Sequence, residues 1–463
     1  MSAPTLQGIS AARLIAFIRY GKISHLGRTL PKPVSGNTFL PLNRLSLSAM
    51  QKPLPLFKLL ILLLAGCQNN ERENSIPANV QTGLWRAVIQ SPGGELPFGL
   101  DIARQNDSVF TVHAINGQER LRMDDAYLQG DSLRIPMGIF DAEIIAKVQD
   151  SVLTGYYRRQ AAKRIIQLDF AARQGIAYRF APGRANAAAN VTGKWSVTFH
   201  GETDSSQAVG VFEQAGNDLS GTFLTPTGDY RYLAGSVDGS QLSLSSFDGM
   251  HVYLFKGLAD TANRQISGEF WSGDRGYRKW TATRNDKATL PDANTYTLLK
   301  KGYNAVSFSF PDPSGRKISL ADAKYKGKVV IVQVLGSWCP NCMDETNFLV
   351  PWYNKNKGRG VEIVGLAFEK SNDLAVSGPV IDRMKKRFAM PYDVVLAGVN
   401  DSTASQSLPM LEKVKGYPTT IFIDRKGKVR RIHTGFNGPG TGKYYDGFVE
   451  EFNLFMDKLL AEK

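Results

Sequence analysis

A chain of 463 residues with 43% hydrophobic and 21% charged side chains has room for about three folded domains and is too apolar to be disordered throughout. Its three cysteines, Cys67, Cys339 and Cys342, exclude a framework of structural disulfides. The net charge of +14 does not make a nucleic-acid binder: residues 1–66 hold eight Lys or Arg and no acid, which leaves +6 over the rest, and no Lys/Arg cluster is interleaved with aromatics.

From Met50 the chain reads MQKPLPLFKLLILLLAGCQNN. A lysine-bearing start, an apolar run from Leu59 to Leu64 and the tetrad Leu64-Ala65-Gly66-Cys67 give residues 50–66 the layout of a secretory signal peptide, with a run too short to span a bilayer as a helix. The tetrad matches the bacterial lipobox, in which cleavage before the cysteine is coupled to diacylglycerol addition on its sulfur. That match implies lipid attachment at Cys67, contact with a membrane through the anchor, and a place in the cell envelope facing the periplasm. A signal peptide begins a protein, so residues 1–49 read as an upstream extension to a native start at Met50. Their basic, acid-free composition also resembles an organellar transit peptide, which would not precede a lipobox. Residues 67–80 are polar and read as a tether.

Between residues 81 and 284 the pattern alternates with period two, as in Leu84–Gln90, Leu96–Ala103, Ser108–Ala114, Lys194–His200, Gln241–Leu244 and His251–Phe255, and predicts half-buried strands. Turn signals separate them at Asn116-Gly117, Gln129-Gly130-Asp131, Gly216-Asn217-Asp218 and Asp238-Gly239. Thr82-Gly83-Leu84-Trp85 recurs as Thr192-Gly193-Lys194-Trp195, and Phe140-Asp141-Ala142 as Phe247-Asp248-Gly249. Two copies of one antiparallel all-β unit, barrel or sandwich, are therefore expected over 81–180 and 191–284, each with its tryptophan in the core rather than stacked on a ligand. His113, His200 and His251 have no cysteine or acid at metal-ligand spacing, so no metal is expected there.

After a polar linker the chain changes character at residues 295–463, where apolar strands alternate with helical patterns. Lys328–Leu335 reads as a buried strand, followed by Gly336-Ser337-Trp338-Cys339-Pro340-Asn341-Cys342 and a helix from about Pro340 to Asn354. A thiolate where a strand ends and a helix begins is stabilised by unpaired backbone N–H groups and the helix dipole, which makes Cys339 the expected nucleophile. Cys342, one turn along, is placed to form a disulfide with it and to resolve a mixed disulfide. Pro340 stands at the first helical position, where a missing N–H costs nothing. Half of a zinc site would need two more ligands, and the domain offers only His433, so neither metal nor cofactor is expected. Strands at Val361–Phe368 and Tyr392–Leu396, helices at Val380–Phe388 and Tyr444–Leu460, and an inserted loop with a short helix at Asp401–Val414 complete a predicted order βαβαββα.

Three stretches of this domain, Phe308–Arg316 with Ser319-Leu320, Tyr325–Val330, and Gly416-Tyr417-Pro418-Thr419-Thr420-Ile421-Phe422-Ile423-Asp424, resemble the TlpA/ResA-like thioredoxin family of exported disulfide reductases. The resemblance covers about Ser307 to Leu460. It implies a thioredoxin-like α/β fold, a cis peptide at Pro418 facing the disulfide, and a Tyr417 backbone available to a client chain. It also implies protein disulfides as clients and a membrane electron donor for re-reduction. In W-C-x-x-C-x-x-E the acid, Glu345, has a family role in proton transfer; the plainer reading is a carboxylate answering the helix dipole. Gln333 stands where thioredoxins place a buried acid beneath the disulfide, which favours Glu345 for acid-base work. The expected function is thus an exported, membrane-anchored thiol-disulfide oxidoreductase. Its alternatives are a redoxin-type peroxidase, for which no peroxidatic motif flanks Cys339, and a binding lipoprotein with an accessory dithiol.

Overall fold

The computed structural model describes residues 79–463 apart from Ala162, residues 182–184 and Asn263. The upstream extension, the signal peptide, Cys67 and the tether as far as residue 78 lie outside the described residues. Val80, placed in the tether on sequence, is already buried in the first core.

The first nine strands are β1 (Gly83–Ser91), β2 (Gly94–Arg104), β3 (Val109–Asn116), β4 (Glu119–Arg122), β5 (Ala126–Gln129), β6 (Ser132–Met137), β7 (Ala142–Gln149), β8 (Val152–Gln160) and β9 (Ile165–Gln174). All their pairings are antiparallel, and β1 pairs with both β2 and β9 while β2 pairs with β3 and β3 with β5. The sheet therefore closes into an eight-stranded barrel, with short β4 attached to β3. Burial alternates strictly along β3 and β6, one face lining the core and the other facing out.

The second set repeats this order: β10 (Gly193–His200), β11 (Ser205–Ala215), β12 (Asp218–Thr225), β13 (Gly228–Asp229), β14 (Leu233–Asp238), β15 (Gln241–Phe247), β16 (Val252–Asp260), β17 (Gln265–Ser272) and β18 (Gly276–Arg284). Of the two architectures the alternation allowed, both copies adopt the barrel, which leaves no long unpaired edge. Trp85 and Trp195 occupy matching places, each buried, with Nε1 donating to the carbonyl four residues earlier (Gln81, 3.2 Å; Val191, 2.9 Å). The barrels also share a core. Phe247, Val252 and Leu254 of the second join the apolar cluster of the first, and the Asn116 carboxamide donates to the Phe247 carbonyl (2.9 Å) while accepting from the Phe247 amide (3.1 Å).

The C-terminal part opens with the hairpin β19 (Ser309–Pro311) and β20 (Lys317–Ser319). A five-stranded sheet follows in the order β23-β22-β21-β24-β25, built from β21 (Val329–Leu335), β22 (Val361–Glu369), β23 (Asp393–Val399), β24 (Thr419–Ile423) and β25 (Val429–Thr434). Strands β21 to β23 are parallel and β24 runs antiparallel to β21. Around them lie α1 (Pro340–Asn356), α2 (Leu374–Arg387) and α3 (Lys443–Ala461). This is the expected thioredoxin-like layer, with two corrections. Strand β25 was absent from the predicted order, because the charges at Arg430 and Arg431 interrupt the apolar run. Helix α2 starts earlier than its apolar periodicity, since Asp373 caps it by accepting from the Ala375 amide (2.9 Å). The segment 401–414 is a loop with one short helix, the 3-10 helix Ala404–Gln406, as expected; Leu408, Met410 and Leu411 fix the rest of it to the core.

The first barrel grips α2 and its approach through Asp141, which pairs with Lys370 (2.9 Å) and Arg383 (3.1 Å), and through Asp124, which pairs with Arg387. Replacing Trp85 or Trp195 by Ala removes a buried indole from a closed barrel and should cost about 3–5 kcal/mol each. Urea unfolding followed by circular dichroism checks it, and a loss below about 1 kcal/mol would contradict the buried placement.

Candidate active site

The site is built where β21 hands over to α1. Gly336 makes the turn possible, because a Cβ there would stand 2.3 Å from the Trp338 Nε1 and 2.9 Å from the Phe368 carbonyl. Cys339 is the N-cap of α1, in extended conformation, and its Sγ accepts from the Cys342 amide (3.2 Å). Pro340 occupies the first helical position. Cys339 and Cys342 are joined as a disulfide with Cα atoms 5.3 Å apart.

The expected neighbours converge on this turn. The Tyr417–Pro418 bond is cis. The Tyr417 ring meets Trp338 edge-on at 5.2 Å, and Trp338 Nε1 donates to the Phe368 carbonyl (2.8 Å). The Tyr417 hydroxyl is buried without a hydrogen-bond partner among the described residues. Asn341 is buried, with Nδ2 donating to the carbonyls of Asp229 (3.3 Å) and Phe436 (3.4 Å).

Glu345 does not face solvent at the helix end. It points into the sheet at 2% exposure, where Oε2 accepts from Gln333 Nε2 (2.9 Å) and Oε1 from Thr420 Oγ1 (2.5 Å). Gln333 and Thr420 stand opposite each other in the β21–β24 register, so one face of the sheet delivers both donors to the helix. Gln333 Nε2 also donates to Thr346 Oγ1 (3.1 Å), which donates to the Cys342 carbonyl (2.8 Å). Burial pushes the Glu345 carboxyl up to about 7, against the two hydrogen bonds that favour its charged form. The acid that thioredoxins carry on the strand is here carried on the helix, one turn past Cys342, with Gln333 as its neutral partner.

Several residues of the site gave no distinct signal. Glu369, at the end of an apolar strand, is 2% exposed and accepts from the Ser337 amide (2.8 Å) and Ser337 Oγ (2.7 Å), and burial raises its carboxyl. It fixes the residue before the Trp-Cys pair. Asp344 on α1 pairs with Arg231 of the second barrel, and burial pushes it up to about 7 despite that cation. His251, expected to lack an acid, has one: Asp248 Oδ2 lies 2.9 Å from its Nδ1. A polar residue inside an apolar run, such as Glu369 or Thr420, is the one clue the sequence held.

A disulfide on the first turn of a helix, a cis-proline loop across from it and a buried carboxyl behind it define a thioredoxin-fold dithiol centre. The sequence matches the AhpC/TSA family over residues 302–432. It is 31% identical over 137 residues to the thiol-disulfide oxidoreductase ResA of Bacillus subtilis, covering 30% of this chain and 69% of that protein. It is 33% identical over 136 residues to ResA of Bacillus thuringiensis subsp. konkukian, covering 28% and 68%. A thioredoxin-family thiol:disulfide interchange protein of Chlorobium tepidum TLS superposes with a TM-score of 0.24 at 24% identity, covering 31% of this chain and 94% of that one. The chain belongs to the TlpA/ResA-like family of thiol-disulfide oxidoreductases, carried on its C-terminal thioredoxin-like domain.

Because the folded-state carboxyl of Glu345 lies above its unfolded value, the folded protein holds a proton there that the unfolded chain gives up. The stabilisation is complete below about pH 4.5 and is lost as pH rises through about 7. Glu345→Gln keeps the neutral geometry, with its amide donating to Thr420 and its carbonyl accepting from Gln333. Between pH 5 and 8 the wild type should therefore lose up to about 3 kcal/mol more stability than the variant, which keeps the other buried carboxyls; parallel curves would remove the buried acid from the account.

Proposed function

We propose that this chain is an exported, lipid-anchored reductase of protein disulfides that works through Cys339-Pro340-Asn341-Cys342 and is recharged by a membrane electron donor. The observation that carries the reading is Cys339 as the N-cap of α1, disulfide-bonded to Cys342 beside cis-Pro418. In the reduced enzyme the Cys339 thiolate, facing the helix N–H groups, attacks one sulfur of a client disulfide. The Cys339–client bond forms as the client bond breaks, and the client's second sulfur leaves as a thiolate. Cys342 then gives up its proton and attacks Cys339, which releases the first client sulfur. Two electrons have passed to the client, and the enzyme is left with the Cys339–Cys342 disulfide seen here.

The proton from Cys342 needs an acceptor. We assign that role to Glu345, one turn along the same helix, a reading supported by its burial and by a carboxyl raised to about 7. It acts as a positioning and proton-holding residue rather than by touching the client. Trp338 and Tyr417 form the apolar wall beside the dithiol, and the Tyr417 backbone, just before the cis bond, offers a client chain its pairing groups. Anchoring rests on the Leu64-Ala65-Gly66-Cys67 match, which supports a site of action at the envelope membrane, facing the periplasm.

Cys339→Ser should abolish insulin-disulfide reduction, and Cys342→Ala should accumulate mixed disulfides with cellular proteins, visible as dithiothreitol-sensitive bands on non-reducing gels. A Cys342→Ala protein that traps nothing would count against protein clients. Cys67→Ser should move the protein from the membrane fraction to the soluble fraction; unchanged sedimentation would remove the lipid anchor.

A further inference from the structure

Every residue from Cys339 to Cys342 is buried, with Cys339 at 5% exposure and Cys342 at 0%. Exchange with a second protein requires a client sulfur in line with the Cys339 Sγ, so whatever covers the dithiol bears on the reaction. Both barrels contribute cover. The turn Gly138–Phe140 of the first places Ile139 in the apolar cluster that contains Cys339 and Met343. The second sends in the hairpin between β12 and β13, with Pro226 and Thr227 at its tip.

That hairpin is fitted closely. A Cβ on Gly228, whose φ is +140°, would stand 2.4 Å from Asn341 Nδ2, so a glycine is required where the hairpin crosses the Cys-Pro-Asn-Cys turn. On its other side, a Cβ on Gly416 would lie 2.5 Å from Thr227 Cγ2, and one on Gly435 would lie 2.9 Å from the Thr227 carbonyl carbon. Gly416 immediately precedes the cis peptide. The hairpin thus fills the trough between the first turn of α1 and the cis-proline loop, which is the space an extended client segment needs.

Its base is tied down by charge. Asp229 accepts from the Gly438 amide (2.6 Å), and Arg231, buried and in the left-handed region at φ 59°, meets carboxylates from all three parts of the fold. They are Glu119 of the first barrel (2.6 Å), Asp248 of the second (3.4 Å) and Asp344 on α1. Removing that one cation leaves three buried carboxylates facing one another, so the cluster holds the arrangement only while Arg231 is present.

We propose that the Thr225–Asp229 hairpin is an autoinhibitory lid lying in the client groove, latched by Arg231, and that a client reaches Cys339 by displacing it. The proposal rests on the oxidoreductase reading of the dithiol.

The test uses the full chain, reduced, as wild type, Arg231→Gln and Thr227→Trp. The first variant removes the latch; the second leaves Arg231 in place and puts at the tip a ring too large for the space between Gly416 and Gly435. Carbamidomethylation of Cys339 by iodoacetamide, followed by mass, and insulin reduction are measured side by side. If the open form is a minor population, alkylation in either variant should accelerate about tenfold or more, whereas rates within about twofold of wild type in both overturn the lid. Fast alkylation in the variants with no insulin reduction by any of the three proteins keeps the lid and sinks the oxidoreductase reading.

Discussion

The first turn of an α-helix presents backbone N–H groups with no partner inside the helix, and the arrangement of this protein's C-terminal half follows from how that turn is satisfied at α1. A sulfur caps it, with Cys339 Sγ accepting from the Cys342 amide, and the buried strand β21 feeds it. That capping sulfur is also the one proposed above as the nucleophile. Glu369 holds the residue before Trp338, Gly336 gives the indole room, and the β21–β24 register brings Gln333 and Thr420 to the carboxyl one turn further on. Each support acts on the same few residues of backbone, and the barrels add their own contacts to that turn at Asn341 and Asp344.

Much of this was legible in the sequence, and the reason is local. A strand run, a Cys-x-x-Cys at its end and a helix after it lie within one continuous stretch, so propensity, capping and chemistry agree there. The tryptophan echo betrayed the barrel repeat for the same reason: Trp85 and Trp195 each bond a carbonyl four residues back. What stayed hidden depended on residues far apart in the chain. Nothing near Arg231 announces that it meets Glu119 and Asp344, and Glu345 looked equally suited to the helix dipole until Thr420 and Gln333 were seen to enclose it. Strand β25 escaped because the adjacent Arg430 and Arg431 interrupt the apolar run, a case of tertiary pairing outweighing local pattern.

The barrel copies have kept their architecture while dividing their labour. Asp141 and Asp248 stand at corresponding points after β6 and β15, yet Asp141 reaches outward to Lys370 and Arg383 beside α2, whereas Asp248 is drawn into the ion cluster around Arg231. His251 and Arg231 hold the Asp248 carboxyl down to about 2 against the cost of burial, so it stays ionised around neutral pH. One duplicated loop thus serves two flanks of a third domain.

The burial of the Cys339–Cys342 disulfide bears on more than client entry. Thiol–disulfide exchange proceeds only through direct contact between sulfurs, so a centre sealed on both flanks equilibrates slowly with any small thiol in the surrounding fluid. Its oxidation state is then set by the macromolecules able to engage it rather than by the ambient redox buffer. Such kinetic insulation lets a buried dithiol keep an oxidation state different from that of the small thiols dissolved around it.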